Sequence, residues 1–366
     1  MNKSRILIFS LAYHPFIGGA EIAIQEITKR LSDDFEFDMI TCNLDGKQKK
    51  YEKINNINVY KVKNKYLFPW KAFKLAKKLY KKNNYKIVWG MMATWGGWTA
   101  LKFKEKYPNV KYLLTLQSGD SDKFIKSRTC FWSWRYKQIY QKADHIQVIS
   151  NWLKNRARKF GYKKEISLIP NGVKFQEKKE YSGFQKKNGR IILTVSRLVE
   201  KNGVGDLINA ISKLDNVVLK IIGNGSERKK MEKLVNNLKI SNRVAFLGNK
   251  NYTETQNYYS QVNIFCRPSL SEGFGNVFIE AMANQVPVIA TPVGGIPDFL
   301  REGETGWFCE PKNPQSIAEK IKYILDENNK EEVAQVVSNA KKMVEEKYTW
   351  EKVSEQMKSV FNNLLV

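Results

Sequence analysis

The sequence has little of what metal sites, disulfide scaffolds and membrane spans require. Only four cysteines and two histidines occur in 366 residues, and no two cysteines form a CxxC pair. This spacing predicts neither a disulfide framework nor a metal site, and it fits a reducing cytoplasm. No run approaches the roughly 20 apolar residues that span a bilayer. The apolar run at residues 5–11 lacks the cleavage site of a signal peptide and predicts a first strand.

Acidic residues are scarce in the first half of the chain. Residues 1–187 contain 39 Lys and Arg against 15 Asp and Glu, whereas residues 188–366 contain 23 against 21. Biased codon usage would enrich lysine in both halves, so the excess positive charge is a property of the first half. Such a field attracts an anionic partner, and a membrane surface, a lipid phosphate or a nucleic acid would each fit.

Strands and helices alternate along both halves, as in βαβ units with parallel sheets. The length suits two domains, and the polar segment 176–189 is the expected hinge. We therefore predict an α/β fold of two Rossmann-like, doubly wound domains, residues 1–180 and 188–349. Ligands of such sheets bind at the carboxyl ends of the strands, which favours a site in a cleft between the domains. The predicted strands are 5–11, 37–42, 58–62, 86–90, 111–117, 145–150, 190–198, 217–225, 243–248, 263–269 and 286–292.

The most informative stretch is SEGFGNVFIEAMA, residues 271–283, which places two glutamates eight positions apart. A carboxylate only accepts hydrogen bonds, so both acids suit sugar hydroxyls. We expect Glu280 to contact a ribose and Glu272 a second sugar, since an acid that faced a diphosphate directly would repel it. A helix-dipole role for Glu280 is the structural alternative.

The turn between the two glutamates leads into a predicted helix. Gly273 and Gly275 flatten this turn, so that backbone N–H groups of Gly275, Asn276 and Val277 would point into the site. Such groups at a helix start suit phosphate oxygens.

Glycines also precede predicted helices elsewhere. Gly18 and Gly19 follow the first strand, and Gly223 and Asn224 follow a strand of the second domain. Several such loops in a two-domain α/β chain favour a nucleotide-type ligand. None of them matches GxGxxG or GxxxxGK[ST], which argues against dinucleotide-binding and P-loop proteins.

Two cations follow the first strand of the second domain. Arg197 could bind a diphosphate through its forked guanidinium, and Lys201 could bind it as a point charge. A solvated loop, in which charges are common, is the alternative.

These motifs resemble those of retaining glycosyltransferases with the GT-B fold, of the family called GT4. The resemblance spans nearly the whole chain, and the E-x7-E segment is its most specific part. The motifs that carry it are GGAE (18–21), PNGV (170–173), VSRLVEKNGV (195–204), IIGNGSERKKME (221–232), SEGFGNVFIEAMANQVPVIAT (271–291) and VGGIPD (293–298).

The resemblance implies a nucleotide-diphosphate-sugar donor, linked to UDP or GDP, that is held mainly by the second domain. Arg197 and Lys201 would bind the diphosphate, and Glu280 would bind the ribose. Glu272 and the backbone after Phe274 would hold the donor sugar and the distal phosphate.

From the first domain, Gly18 and Gly19 would close on the donor, and the last helix, near 350–366, would return to that domain. The implied reaction is sugar transfer with retention of configuration, without metal or cofactor, in which the leaving phosphate takes the acceptor's proton. The implied catalytic residues are Glu272, Gln117, Arg197 and Lys201.

Two positions depart from the family pattern. The family often has a histidine where this chain has Gln117, which can bind a sugar hydroxyl but cannot titrate. The family's lysine usually precedes a glycine directly. Here Asn202 precedes Gly203, and Lys201 stands one residue earlier.

The segment 69–86 predicts a lysine-rich amphipathic helix. Trp70, Phe73, Ala76 and Tyr80 share one side, which suits an interfacial helix on anionic lipid; a helix packed on the sheet fits equally well. We expect a glycan or lipid-linked acceptor, and a cytoplasmic protein bound peripherally to the inner face of the membrane. The residues expected to meet acceptor or membrane are Lys71, Lys74, Lys78, Lys81, Trp70, Trp95 and Trp98.

Two other classes of function remain open. A nucleic-acid-binding protein would account for the charge but not for the paired glutamates, so we expect no nucleic acid. A non-catalytic nucleotide-sugar sensor would fit the glutamine at position 117.

Overall fold

The chain folds into two compact units. The first comprises Met1–Gly172 and Trp350–Val366, and the second comprises Val173–Thr349. The first unit therefore ends earlier than the expected position 180, and the expected hinge, 176–189, lies outside the described residues. The computed structural model describes residues 3–120, 125, 127, 133–175 and 190–366.

An eight-stranded sheet forms the centre of the first unit. Its strands are β1 (Ser4–Phe9), β2 (Phe35–Asn43), β3 (Tyr51–Ile54), β4 (Ile57–Lys63), β5 (Ile87–Met91), β6 (Lys111–Leu116), β7 (His145–Val148) and β8 (Ile166–Leu168). They follow the order β3-β4-β2-β1-β5-β6-β7-β8, and each pair is parallel except β3 with β4. With β1 in the middle, the order runs outward in both directions, as a doubly wound fold requires.

A six-stranded sheet forms the centre of the second unit. Its strands are β9 (Arg190–Val195), β10 (Val217–Ile222), β11 (Val244–Gly248), β12 (Ile264–Arg267), β13 (Val288–Ala290) and β14 (Trp307–Phe308). The order is β11-β10-β9-β12-β13-β14, and every pair is parallel. The predicted α/β class, with a doubly wound parallel sheet in each half, is confirmed.

Helices connect these strands. None of those in the described residues has the length and apolarity that crossing a bilayer demands. In chain order they are α1 (Gly19–Arg30), α2 (Phe68–Asn83), α3 (Gly97–Lys106), α4 (Ser133–Gln141), α5 (Asn151–Lys159), α6 (Val204–Ile211), α7 (Arg228–Asn237), α8 (Tyr252–Tyr259), α9 (Asn276–Ala283), α10 (Pro314–Leu325), α11 (Lys330–Lys347) and α12 (Trp350–Leu365).

Helix α12 packs in the first unit although it closes the chain. Met357 and Phe361 lie one turn apart on its buried face, and the Phe361 ring meets the Trp89 ring of β5 at 5.4 Å. Arg30 of α1 pairs with Glu351 at 2.8 Å. The apolar contacts, which repeat at helical spacing, explain why the last segment belongs to the first unit.

Three strands were not predicted, and each is short or polar. Strand β3 pairs antiparallel with β4 through a two-residue turn at Asn55 and Asn56, a hairpin signal that was present in the sequence. Strands β8 and β14 contain only three and two residues, which is too few for a periodic pattern.

Candidate functional site

Four loops of the second unit leave the same edge of its sheet. Because β9, β10, β12 and β13 are neighbours in a parallel sheet, the loops that follow their carboxyl ends lie side by side. These loops contain most of the second-unit residues that the sequence predicted as ligand-binding. The four loops are residues 196–203, 223–227, 268–275 and 291–295.

Backbone contacts lock these loops together. The N–H of Leu270 donates to the Lys201 carbonyl at 2.7 Å, and the N–H of Gly295 donates to the Glu272 carbonyl at 3.1 Å. Gly294 has a φ of +62°, and a Cβ there would lie 1.8 Å from the Glu272 carbonyl oxygen. Only glycine therefore allows the loop after β13 to approach Glu272 this closely.

Glu272 is held at this edge by a buried arginine. Its Oε1 accepts from the N–H of Gly273 at 2.9 Å, and its Oε2 accepts from Nη2 of Arg267. Arg267 ends β12 and also donates to Oδ1 of Asn202 at 3.1 Å. The Asn202 amide in turn donates to the Arg197 carbonyl at 2.7 Å. The loops after β9 and β12 are thus joined through one guanidinium.

Glu280 lies in α9, and its carboxyl is surrounded by protein although part of the residue is exposed. Its Oε2 accepts a hydrogen bond from the Tyr259 hydroxyl at 3.3 Å. Burial raises the pKa of Glu280 to about 7, and the Tyr259 hydrogen bond lowers it only in part. The carboxylate keeps unused acceptor positions, which are what a pair of ribose hydroxyls would need.

Helix α9 starts where the sequence predicts, directly after the glycine turn. The helix begins at Asn276, directly after Gly275, whose φ is +91°. The first N–H groups of any α-helix lack partners within the helix and carry its positive dipole end. Phe274, by contrast, is buried against Phe299 at a ring distance of 5.1 Å, so its side chain is part of the core.

The predicted cations and glycines of the second unit lie in the loops at the same edge. Arg197 is exposed directly after β9, and Lys201 is half-buried in a short 3₁₀ turn. The N–H of Gly223 is used by the Gly248 carbonyl at 2.7 Å, so it is not offered to a ligand. Asn224 is exposed beside it, and its Oδ1 accepts from the N–H of Gly225 at 2.9 Å. Arg197 thus presents an exposed positive charge at this edge.

The remaining donor and catalytic candidates belong to the first unit. Gly18 and Gly19 begin α1, and the N–H of Gly18 donates to Oε2 of Glu21 at 2.8 Å. Burial raises the pKa of Glu21, while its backbone hydrogen bonds lower it in part. Gln117, directly after β6, exchanges two 3.2 Å hydrogen bonds with Asn171. Gln117 is therefore oriented by an amide pair.

Helix α2 differs from the predicted interfacial helix in which face it buries. Its buried residues include Phe68, Ala72, Ala76 and Leu79, which pack inside the first unit. Of the expected apolar side of Trp70, Phe73, Ala76 and Tyr80, Ala76 is fully covered and Trp70 alone is strongly exposed, at 49%, so this side does not form a continuous exposed apolar surface. Trp95 and Trp98 are half-buried. The four lysines predicted to meet acceptor or membrane are all exposed; they are Lys71, Lys74, Lys78 and Lys81.

The comparisons with known proteins cover nearly the whole chain. Residues 17–177 match the model of Glycosyltransferase Family 4, and residues 175–343 match that of Glycosyl transferases group 1. An uncharacterized glycosyltransferase of Methanocaldococcus jannaschii is 30% identical over 358 residues, which cover 96% of each protein. The chain is a GT4 glycosyltransferase. It is thus a transferase enzyme, and the predicted family is confirmed.

Two further similarities are to a capsular polysaccharide biosynthesis protein and to a solved structure. The capsular polysaccharide biosynthesis glycosyltransferase CapM of Staphylococcus aureus is 31% identical over 241 residues, or 61% of this chain and 62% of CapM. The crystal structure of Anabaena HepE with UDP and glucose superimposes with a TM-score of 0.80 at 17% identity, over 98% of this chain and all of HepE. The GT-B fold of this glycosyltransferase is therefore confirmed.

Three residues of the site were missed in the sequence. The sequence could have indicated Arg267, because it is a charged residue at the end of an otherwise apolar strand, and buried charges are rare unless paired. Asn202 was noted only as a departure from the family pattern. No sequence pattern indicated Tyr259, because its hydroxyl reaches Glu280 only through the packing of α8 on α9.

No group of three or more His, Cys, Asp or Glu is arranged to hold a metal ion in the part of the chain that the structure describes. Asp120 and Asp122, a pair of acidic residues that could be weighed as metal ligands, follow β6 and were not considered from the sequence. Asp122 lies outside the described residues.

Replacing Glu280 by glutamine should stabilise the ligand-free glycosyltransferase at high pH. A pKa raised to about 7 means that the folded state binds more protons than the unfolded state between about pH 4.5 and 7, so stability falls as the pH rises through this window. At pH 8, Glu280→Gln should raise the free energy of unfolding by roughly 1–3 kcal/mol, with little gain near pH 4.5.

Urea unfolding of both proteins at a series of pH values measures this effect. Glu319→Gln, which changes an exposed glutamate of α10 in the same unit, is the matched control and should follow the wild-type curve. Parallel curves for wild type and Glu280→Gln across the window would contradict the buried position of the carboxyl.

Proposed function

We propose that this glycosyltransferase transfers a sugar from a nucleotide-diphosphate-sugar, linked to UDP or GDP, to a glycan or lipid-linked acceptor. The observation that carries the proposal is the edge of the second sheet, which brings together two glutamates, cations and a helix start. Glu280 would take the ribose hydroxyls, and Glu272 would take those of the donor sugar. Arg197, Lys201 and the N-terminus of α9 would bind the diphosphate.

The relatives support the donor and the process. HepE binds UDP and glucose in its crystal structure, and CapM is named for capsular polysaccharide biosynthesis. We extend both to this chain as part of the proposal, and assign it to cell-surface polysaccharide or glycolipid assembly.

The proposed chemistry is a displacement with retention and without a metal ion. The bond between the sugar's anomeric carbon and the diphosphate oxygen breaks as a bond to the acceptor oxygen forms on the same face. The acceptor's proton passes to the leaving phosphate, and the negative charge that develops there is stabilised by Arg197, Lys201 and backbone N–H groups. Gln117 would contribute a hydrogen bond to a sugar hydroxyl.

A nucleoside diphosphate should stabilise the protein through Glu280. At about a hundredfold its Kd, such a ligand raises the free energy of unfolding by roughly 2.7 kcal/mol, which appears as a rise in Tm. UDP, GDP and their sugars should be screened by thermal shift, and one base should be favoured. In Glu280→Ala the shift should vanish at the same ligand concentration, whereas Glu319→Ala should keep it.

An unchanged shift in Glu280→Ala would remove Glu280 from the ribose site. Transfer of the sugar from a labelled donor to an acceptor tests the proposed donor and acceptor classes. Donor binding without any transfer to cell-envelope glycolipids would contradict the proposed acceptor.

We further propose that the first unit binds the anionic inner surface of a membrane, where a lipid-linked acceptor would be found. The start of α2 and the turn before it expose Tyr66, Leu67 and Trp70, at 67%, 46% and 49%. Lys102 lies over the Trp70 ring at 5.7 Å. Aromatic side chains beside lysines suit the headgroup region, and the lysine row of α2 adds attraction to anionic lipid.

Vesicles of anionic lipid should co-sediment the protein at low salt, and vesicles of neutral phosphatidylcholine should not. Each lysine near the surface contributes about 1 kcal/mol, so changing Lys71, Lys74, Lys78 and Lys81 to Glu should weaken partitioning by at least about a hundredfold. The matched control changes four exposed lysines of the second unit to Glu and should bind nearly as well as the wild type. They are Lys213, Lys229, Lys233 and Lys239. Equal binding by both quadruple variants would contradict the assignment to α2.

A further inference from the structure

Arg267 is a buried cation whose donors are not all used. It is 9% exposed at the end of β12, and Nη2 donates both to Glu272 and to Asn202. Nε is buried without a partner among the described residues, and Nη1 donates to none of them. A single ion pair with Glu272 uses only part of such a guanidinium, and unused donors on a buried charge are costly. The arrangement therefore has capacity for another anion.

The position that Arg267 contacts is the one at which the family pattern expects a positive charge. In that pattern a lysine directly precedes the glycine, and here Asn202 stands in that place before Gly203. Asn202 is 2% exposed, and its amide is fixed by the hydrogen bond to the Arg197 carbonyl. An amide carries no charge, so the chain lacks the expected cation at this point of the backbone.

Gly203 explains how the two positions come together. Its φ is +68°, and a Cβ there would lie 1.9 Å from the carbonyl oxygen of Pro268, the residue after Arg267. The loop after β9 therefore lies directly against the end of β12, and the Asn202 side chain meets the guanidinium at 3.1 Å. A positive charge that is absent from the first loop is supplied by the neighbouring strand.

We propose that Arg267 provides the cation that binds the distal phosphate of the donor, in place of the lysine absent from position 202. Asn202 and Glu272 orient the guanidinium, and its remaining N–H donors and its charge are directed to the phosphate beside the donor sugar. Arg197, which is exposed at the same edge, binds the diphosphate from the solvent side. This inference rests on the proposed nucleotide-diphosphate-sugar donor and adds a specificity-determining residue to it.

The test compares a nucleoside diphosphate with the matching monophosphate, which lacks the distal phosphate. For the base that wild type prefers, calorimetry should show that Arg267→Gln weakens diphosphate binding by about tenfold to a hundredfold, the range for a charged hydrogen bond. Monophosphate binding should change less than about twofold, since its only phosphate is the proximal one. Arg267→Lys keeps the charge but loses the fork, so its loss of diphosphate affinity should be smaller.

A second substitution distinguishes a ligand contact from a structural role. Adding Asn202→Lys to Arg267→Gln restores the family's lysine and should recover most of the diphosphate affinity. Arg243→Gln, which removes another half-buried arginine of the second unit whose guanidinium binds the Ile211 and Leu214 carbonyls, is the control and should bind both nucleotides as wild type does.

Each outcome decides the inference. Unchanged diphosphate affinity in Arg267→Gln overturns it. An equal loss of affinity for the diphosphate and the monophosphate, which Asn202→Lys does not restore, also overturns it. If Arg267→Gln does not fold, Arg267→Lys decides by its ratio of diphosphate to monophosphate affinity, which must fall if the inference holds. A wild-type protein that binds no nucleoside diphosphate would instead overturn the proposed function, and this inference with it.

Discussion

The ion pair between Arg267 and Glu272 joins the loops on which the candidate site depends. Arg267 ends a buried strand, Glu272 lies in the loop that follows it, and Asn202 enters the same network from the loop after β9. The Glu272 backbone also accepts from the loop after β13. Removing either partner would leave a buried charge without compensation, so the geometry of the edge and its charge are set by the same contact.

The second glutamate is controlled by a different physical effect. Glu280 has a tyrosine hydroxyl rather than a cation as its partner, and burial raises its pKa to about 7. Burial of the ionised Glu280 carboxylate lowers the stability of the ligand-free enzyme. Hydrogen bonds from sugar hydroxyls to this carboxylate would restore that stability. In the proposed donor complex the two acids would serve two sugars: Glu272 is compensated by the permanent charge of Arg267, and Glu280 would be compensated by the ligand.

Much of this architecture could be predicted from the sequence, because it is local. The buried parallel strands are nearly continuous apolar runs, and Glu272, Arg197 and the turn before α9 lie in the loops that follow such strands. The role of Arg267 was not predicted, because its contact with Asn202 joins residues 65 positions apart in the chain. The buried face of α2 was also misjudged, since the neighbours of a helix, rather than its own spacing, decide which aromatic residues are covered.

The most direct test of the central claim, that the second unit grips sugar hydroxyls with Glu280 and a diphosphate with its cations, is a count of protons. Calorimetric titration of the preferred nucleoside diphosphate at pH 6, in two buffers of different ionisation enthalpy, measures the protons released on binding. The ligand's terminal phosphate also loses protons at this pH, but it does so equally in both proteins. Because ribose hydroxyls favour the ionised carboxylate, binding to wild type should release close to one proton more than binding to Glu280→Gln. Equal proton release from the two proteins would contradict the claim.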